Sequence, residues 1–117
     1  MSFDVDAALK GHLDRWLYLL GLDRLWDVTY EVTDGPISPD RPVALNVYFK
    51  RRTGKRESHI TFDRSHITSD REAEYAAIHE SVHLLDYSVD GVEQFIGRLE
   101  RPLRLARLRA SRSAKKR

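Results

Sequence analysis

The stretch SDREAEYAAIHESVHLLD, residues 69–86, decides the fold of this chain, because it carries the signals that begin and bury a central helix. Ser69 and Glu72 form a capping box, in which the serine hydroxyl accepts a backbone N–H and the glutamate reaches back, so a helix is predicted to begin here. It is predicted to continue toward Ser88, because apolar residues recur at helical spacing: Ala73, Ala76, Ala77, Ile78, Val82 and Leu85.

Two of the chain's five histidines lie four residues apart on this helix, around a glutamate, in the pattern HExxH. His79 and His83 project from the same helix face about one turn apart, so both imidazoles can reach one tetrahedral ion. Glu80 lies on an adjacent part of that face, where it can take a proton from a metal-activated water. The chain has no cysteine, so a metal must be held by His, Asp or Glu. The plainer alternative is an amphipathic helix whose two histidines are exposed or satisfied by neighbours.

Further elements are predicted on the N-terminal side. Residues 3–20 repeat apolar side chains at helical spacing, and Gly21 is a plausible stop. Three runs rich in β-branched and aromatic residues predict strands: WDVTYEVTD (26–34), VALNVYF (43–49) and ESHITFD (57–63). The second and third of these strands look like a hairpin that turns at Gly54.

A third helix is predicted to begin at the second box-like sequence, residues 90–93, and Pro102 is expected to end it, kink it or restart it. The predicted class is α+β: an N-terminal helix, a small three-stranded sheet, the HExxH helix and a C-terminal helix. Residues 1–109 are expected to form one domain, since 117 residues suffice for a single core. Residues 110–117 are predicted to be a basic, disordered tail.

Composition sets the class of protein that we expect. Apolar residues make up 41% of the chain and charged residues 32%, and no apolar run approaches the roughly 20 residues of a membrane span. The N-terminus lacks the basic flank and apolar core of a secretory signal. We therefore expect a cytoplasmic protein without a membrane partner.

The net charge of +2 hides an asymmetry. Residues 98–117 contain nine of the 20 Lys and Arg and one of the 18 Asp and Glu, a net charge of +8, which leaves −6 for residues 1–97. Such a segment attracts nucleic-acid phosphates, an anionic membrane or an acidic protein. No aromatic residue follows Phe95 for base stacking, so any nucleic-acid binding is expected to be non-specific. A non-enzymatic nucleic-acid-binding or assembly protein is therefore the alternative to an enzyme.

The HExxH helix and its flanking elements resemble the zincin metallopeptidases, specifically the small gluzincin-like proteins common in phages and prophages. The resemblance covers residues 26–100. It implies a zinc-dependent metallopeptidase that binds a peptide or protein substrate along the edge strand at residues 43–49. It also implies the site residues: Zn²⁺ bound by His79, His83 and Glu93, and Glu80 as the general base.

The third ligand has alternatives. Glu93 can instead cap its helix as the partner of Asp90, and Asp90 is itself a candidate ligand. Asp86 lies three residues past His83, where its short side chain suits a hydrogen bond to an imidazole better than a ligand position. Two histidines and a carboxylate favour zinc within this family, although such a set also holds non-haem iron.

The chain departs from the larger zincin families at several positions. Metzincins extend the motif to a glycine and a third ligand and have a methionine turn, but Asp86 and Val89 occupy those positions and Met1 is the only methionine. Many gluzincins place an aspartate four residues after the glutamate ligand, where this chain has Gly97, so support for a histidine is missing or comes from elsewhere. No His or Tyr follows Tyr87, and the candidates for oxyanion stabilisation are Tyr48, His59, His66 and Arg98.

Overall fold

The structure is a computed structural model that describes residues 3–35, 44–49, 54–85 and 93–116, with side chains for residues 3–35, 54–85 and 98–112. It confirms the α+β class, with three α-helices and a sheet. In chain order the elements are α1 (Val5–Leu19), β1 (Trp26–Thr33), β2 (Ala44–Phe49), β3 (Arg56–Asp63), α2 (Asp70–Leu85) and α3 (Glu93–Lys116), with short 3₁₀ turns at Leu22–Arg24 and Arg64–His66.

Local signals account for the ends of the first two helices. The Asp4 carboxylate accepts a hydrogen bond from the Ala7 amide at 3.1 Å, which begins α1, and Gly21 follows the helix in the left-handed region with φ of 70°. The capping box of α2 is confirmed, since the Glu72 amide donates to the Ser69 hydroxyl. The Glu72 carboxylate reaches one residue further back than predicted and accepts from the Thr68 amide at 3.0 Å.

The sheet has the strand order β1-β3-β2. β2 pairs antiparallel with β3, whereas β1 pairs in parallel with β3, from Trp26 opposite Arg56 to Thr33 opposite Asp63. The sequence did not predict the parallel pairing, because strand patterns report burial and not the neighbour of each strand. β2 therefore lies at one edge of the sheet and β1 at the other.

The core lies between one face of the sheet and helices α1 and α2. Ile60 and Phe62 of β3 are buried, and they belong to the same apolar cluster as Leu9 and Leu13 of α1 and Ala77 of α2. Because side chains alternate along a strand, Thr61, which lies between Ile60 and Phe62, points away from the helices. This arrangement fixes α2 against the sheet with a small residue at the contact, which lets the helix approach closely.

α3 contains Pro102 and does not end there, and a kink at this residue stays a prediction. The helix extends to Lys116, so residues 110–116 are helical, where the sequence predicted a disordered tail. Pro102 is exposed, so the carbonyl that loses its helical hydrogen bond can be hydrated. None of the helices within the described residues is long and apolar enough to cross a bilayer.

A buried carboxylate joins all three helices. Glu74 of α2 is 0% exposed, and it accepts a hydrogen bond from the Trp16 indole of α1 at 2.9 Å. On the other side the Arg107 guanidinium donates through Nε and, at 2.6 Å, through Nη2. Arg104 Nε forms an ion pair with Glu74 Oε1 at 3.0 Å, although its angles are not those of a hydrogen bond. We call these four residues, with His12 beside them, the Glu74 cluster.

Charge pairing outweighs burial in the Glu74 cluster. Burial alone would raise the pKa of Glu74, but hydrogen bonds from Arg107 and Trp16 and the charges of Arg107 and His12 together hold the pKa below its ordinary value. The hydrogen bond and charge of Glu74 raise the pKa of Arg107 correspondingly. His12 lies between two acidic residues of α2, with Nε2 2.9 Å from Asp70 and Nδ1 3.9 Å from Glu74. The lowered pKa of Glu74 and the raised pKa of Arg107 keep this pair charged in the fold.

Glu74→Gln is expected to lower the free energy of unfolding by about 3–5 kcal/mol, because the variant leaves two largely buried guanidinium groups without their counter-charge. Urea unfolding followed by circular dichroism measures this change. Asp23→Asn removes an exposed carboxylate and is the control, with an expected change within about 0.5 kcal/mol. Similar changes in the two variants would contradict the structural role of Glu74.

The lowered pKa of Glu74 predicts a pH dependence. The carboxylate stays charged to lower pH in the fold than in the unfolded chain, so its contribution is complete above its ordinary pKa of 4.5 and is lost as the pH falls through the folded value. The difference in unfolding free energy between wild type and Glu74→Gln is therefore expected to shrink below about pH 4.5. A difference that stays constant from about pH 7 to about pH 3 would contradict this.

Candidate metal centre

The HExxH residues lie in the C-terminal half of α2. The rings of His79 and His83 lie one helical turn apart in an edge-to-face arrangement, with centroids 4.9 Å apart and planes at 62°. Both side chains are partly exposed, whereas Glu80 is only 6% exposed. The structure thus places the two imidazoles next to each other on α2, as the spacing predicted, and Glu80 is more deeply buried than either of them.

A residue that the sequence did not single out contacts this pair. Glu100 of α3 lies with Oε1 3.0 Å from Nδ1 of His79. A carboxylate accepts only, so His79 Nδ1 is the donor and carries a proton, which makes Nε2 the unprotonated nitrogen of the neutral imidazole. Side-chain exposures of 19% for His79 and 23% for Glu100 mean that water screens this contact only in part.

The packing of α3 against α2 produces this contact. Glu100 meets His79 while Arg107, seven residues later, meets Glu74, five residues earlier in α2, so the helices run antiparallel. The Glu74 cluster therefore sets the position of Glu100 along α2. A signal was available in the sequence, because Glu100 lies two helical turns after Glu93 on the same predicted helix.

The three candidates for the third ligand are only partly described. Glu93 is the first residue of α3, but its side chain lies outside the described residues, as do Asp86 and Asp90 entirely. Within the described residues, no group of three or more His, Asp or Glu side chains is gathered as a metal site would require. The structure thus brings together His79, His83 and Glu80 of the predicted site.

The other histidines have separate roles. His12 belongs to the Glu74 cluster. His59 lies on the sheet face opposite the helices, 2.7 Å from the Thr29 hydroxyl and 3.3 Å from Glu31, so it does not face α2. His66 forms an ion pair with Asp63 at 3.6 Å, just after β3.

Two oxyanion candidates remain, Arg98 and Tyr48. Arg98 of α3 is exposed, and the side chain of Tyr48 lies outside the described residues.

Comparisons with protein-family models, with curated proteins and with solved structures find no match for this chain.

The contact between Glu100 and His79 predicts a tautomer. Neutral His79 is expected to carry its proton on Nδ1, and Glu100→Ala is expected to shift it toward the Nε2 form, because the acceptor that favours Nδ1–H is lost. Two-bond proton–nitrogen NMR of the imidazole rings measures the tautomers in the metal-free protein.

Glu31→Ala is the matched control for this experiment, since it removes a carboxylate from His59 in the same way. It should change the signals of His59 and leave those of His79 unaltered. A predominantly Nε2–H tautomer of His79 in the wild type would contradict the assignment.

Proposed function

We propose that the chain is a zinc-dependent metallopeptidase with His79 and His83 as ligands and Glu80 as the general base. The observation that carries this proposal is the adjacent imidazole pair of His79 and His83, with Glu80 between them in sequence. In addition, the Glu100 carboxylate contacts Nδ1 of His79, so Nε2 is the nitrogen that would bind the metal.

The donor set fits a zinc ion. Histidines that bind zinc commonly donate the other ring N–H to a carboxylate, which fixes the tautomer and makes the ligating nitrogen more basic. Glu100 stands in that relation to His79, and it supplies the support that Gly97 cannot. Two imidazoles and a carboxylate, without cysteine, form the set found in catalytic zinc sites with an open position.

The third ligand in this proposal is Glu93. It lies two turns before Glu100 in the helix that is held against α2, and glutamate is the ligand that the resemblance to gluzincins implies. The element order also supports a zincin-like topology: strands, the HExxH helix and one following helix, with β2 as the edge strand for an extended substrate.

The chemistry is divided between the ion and the chain. Zinc, when bound, lowers the pKa of a water molecule and polarises the substrate carbonyl. Glu80 would take a proton from the attacking water and deliver it to the leaving amine, so that its carboxylate would be regenerated. His79 and His83 stay neutral, with Glu100 holding the orientation of the first ring.

Metal content tests the proposal. Native mass spectrometry of the wild type is expected to show a single zinc ion per chain, which His83→Ala and Glu93→Ala lose because each removes a ligand. Glu100→Gln is expected to bind zinc about 10–100-fold more weakly. Glu80→Gln should keep zinc and lose hydrolysis of a quenched-fluorescent peptide library by about 10²–10⁴-fold.

His66→Ala is the control for these variants, since it removes an exposed histidine outside the site and should change neither zinc content nor hydrolysis. A wild-type protein that contains no metal and takes up no added zinc would overturn the proposal. If the wild type binds zinc but hydrolyses no peptide, the metal site would be supported and the peptidase activity would be contradicted.

A further inference from the structure

The arginines of α3 divide into two groups with different surroundings. Arg104 and Arg107 are only 22% and 14% exposed, because they form the Glu74 cluster. Four others are exposed, and among the described side chains no carboxylate forms an ion pair with them. We call these four the arginine row: Arg98, Arg101, Arg109 and Arg112.

The arginine row follows one face of the helix. Its members lie at positions i, i+3, i+11 and i+14, which return to the same side of an α-helix within a fraction of a turn. At about 1.5 Å per residue the row is about 21 Å long. Glu100 and Arg107 lie on the other face, where they contact His79 and Glu74 of α2. One face of α3 therefore packs against α2, and the arginine row lies on the exposed face.

We propose that the arginine row is a binding site for the phosphate backbone of a nucleic acid, separate from the candidate metal centre. Each strand of double-stranded DNA carries a negative charge about every 3.4 Å, so a row of this length spans on the order of six phosphate charges of one strand. Guanidinium groups bind phosphate through two parallel hydrogen bonds, which favours arginine over lysine for this ligand.

The rest of the chain narrows the mode of binding. Residues 1–97 carry a net charge of −6, so phosphates are repelled elsewhere and attracted to α3. The row includes no aromatic side chain to stack on a base, so the contacts do not read sequence. Within residues 98–112 of α3, whose side chains are described, no leucine is exposed for insertion into a membrane, because all four are partly buried: Leu99, Leu103, Leu105 and Leu108.

The experiment compares two variants of equal net charge. In the first, each arginine of the row is replaced by Gln. In the second, four exposed cations outside α3 are replaced by Gln: Lys10, Arg15, Arg24 and Arg71. Fluorescence anisotropy measures the affinity of each full-length protein for a labelled DNA duplex of about 20 base pairs, from roughly 50 to 200 mM salt.

Wild type is expected to bind with a slope of log affinity against log salt of about −3.6 for four phosphate contacts, an affinity loss of about 100-fold over that salt range. The row variant should lose this slope and the control variant should keep it. A variant with Lys at all four row positions should keep the slope, because it retains the charges.

Several results would overturn the proposal. They are absence of duplex binding by the wild type, equal losses in the two Gln variants, and binding to phosphatidylserine vesicles without binding to the duplex. If the row variant unfolds, the Lys variant and the control still decide whether the row or the net charge is responsible. Zinc content is measured in parallel and should equal that of the wild type, so a failed arginine row is distinguished from a failed metal centre.

Discussion

The buried carboxylate of Glu74 is the interaction on which the rest of this structure depends. A charge without exposure has a large desolvation cost, and it persists only because Arg107, Arg104 and Trp16 surround it. Such a cluster adds little to stability compared with an apolar core of the same volume, but it defines which partners must meet. It therefore specifies the positions of α1 and α3 along α2, and this effect on helix register is larger than its effect on the free energy of folding.

That register connects the Glu74 cluster to the candidate metal centre. The two guanidinium groups hold α3 antiparallel to α2, and Glu100 then lies opposite His79. The same helix turns the arginine row outward. A single amphipathic helix thus combines a buried ionic face, a carboxylate that orients a histidine and an exposed cationic face. Separating these by face lets the proposed zinc site and the proposed phosphate site act without competing for the same side chains.

Local chemistry made much of the fold predictable. The capping box at Ser69 and Glu72, the stop at Gly21 and the strand patterns depend on residues within a few positions of one another, and they were found close to where the sequence placed them. Histidine spacing predicted the imidazole pair for the same reason, since four residues on a helix fix the separation of two side chains. The course of α3 through Pro102 was not predictable in this way, because tertiary packing can outweigh the local cost of a proline.

The sequence by itself determined the helices and strands, the adjacent imidazoles with their glutamate, and the concentration of positive charge in the last segment. For the described side chains of that segment, residues 98–112, packing of the helices decided which of these charges form ion pairs. Arg107 and Glu74 are 33 residues apart, Trp16 and Glu74 are 58 apart, and His79 and Glu100 are 21 apart. The periodicity of a sequence shows which side of a helix is apolar. It does not show which side chain from a distant part of the chain contacts that helix, because this contact depends on how whole elements pack.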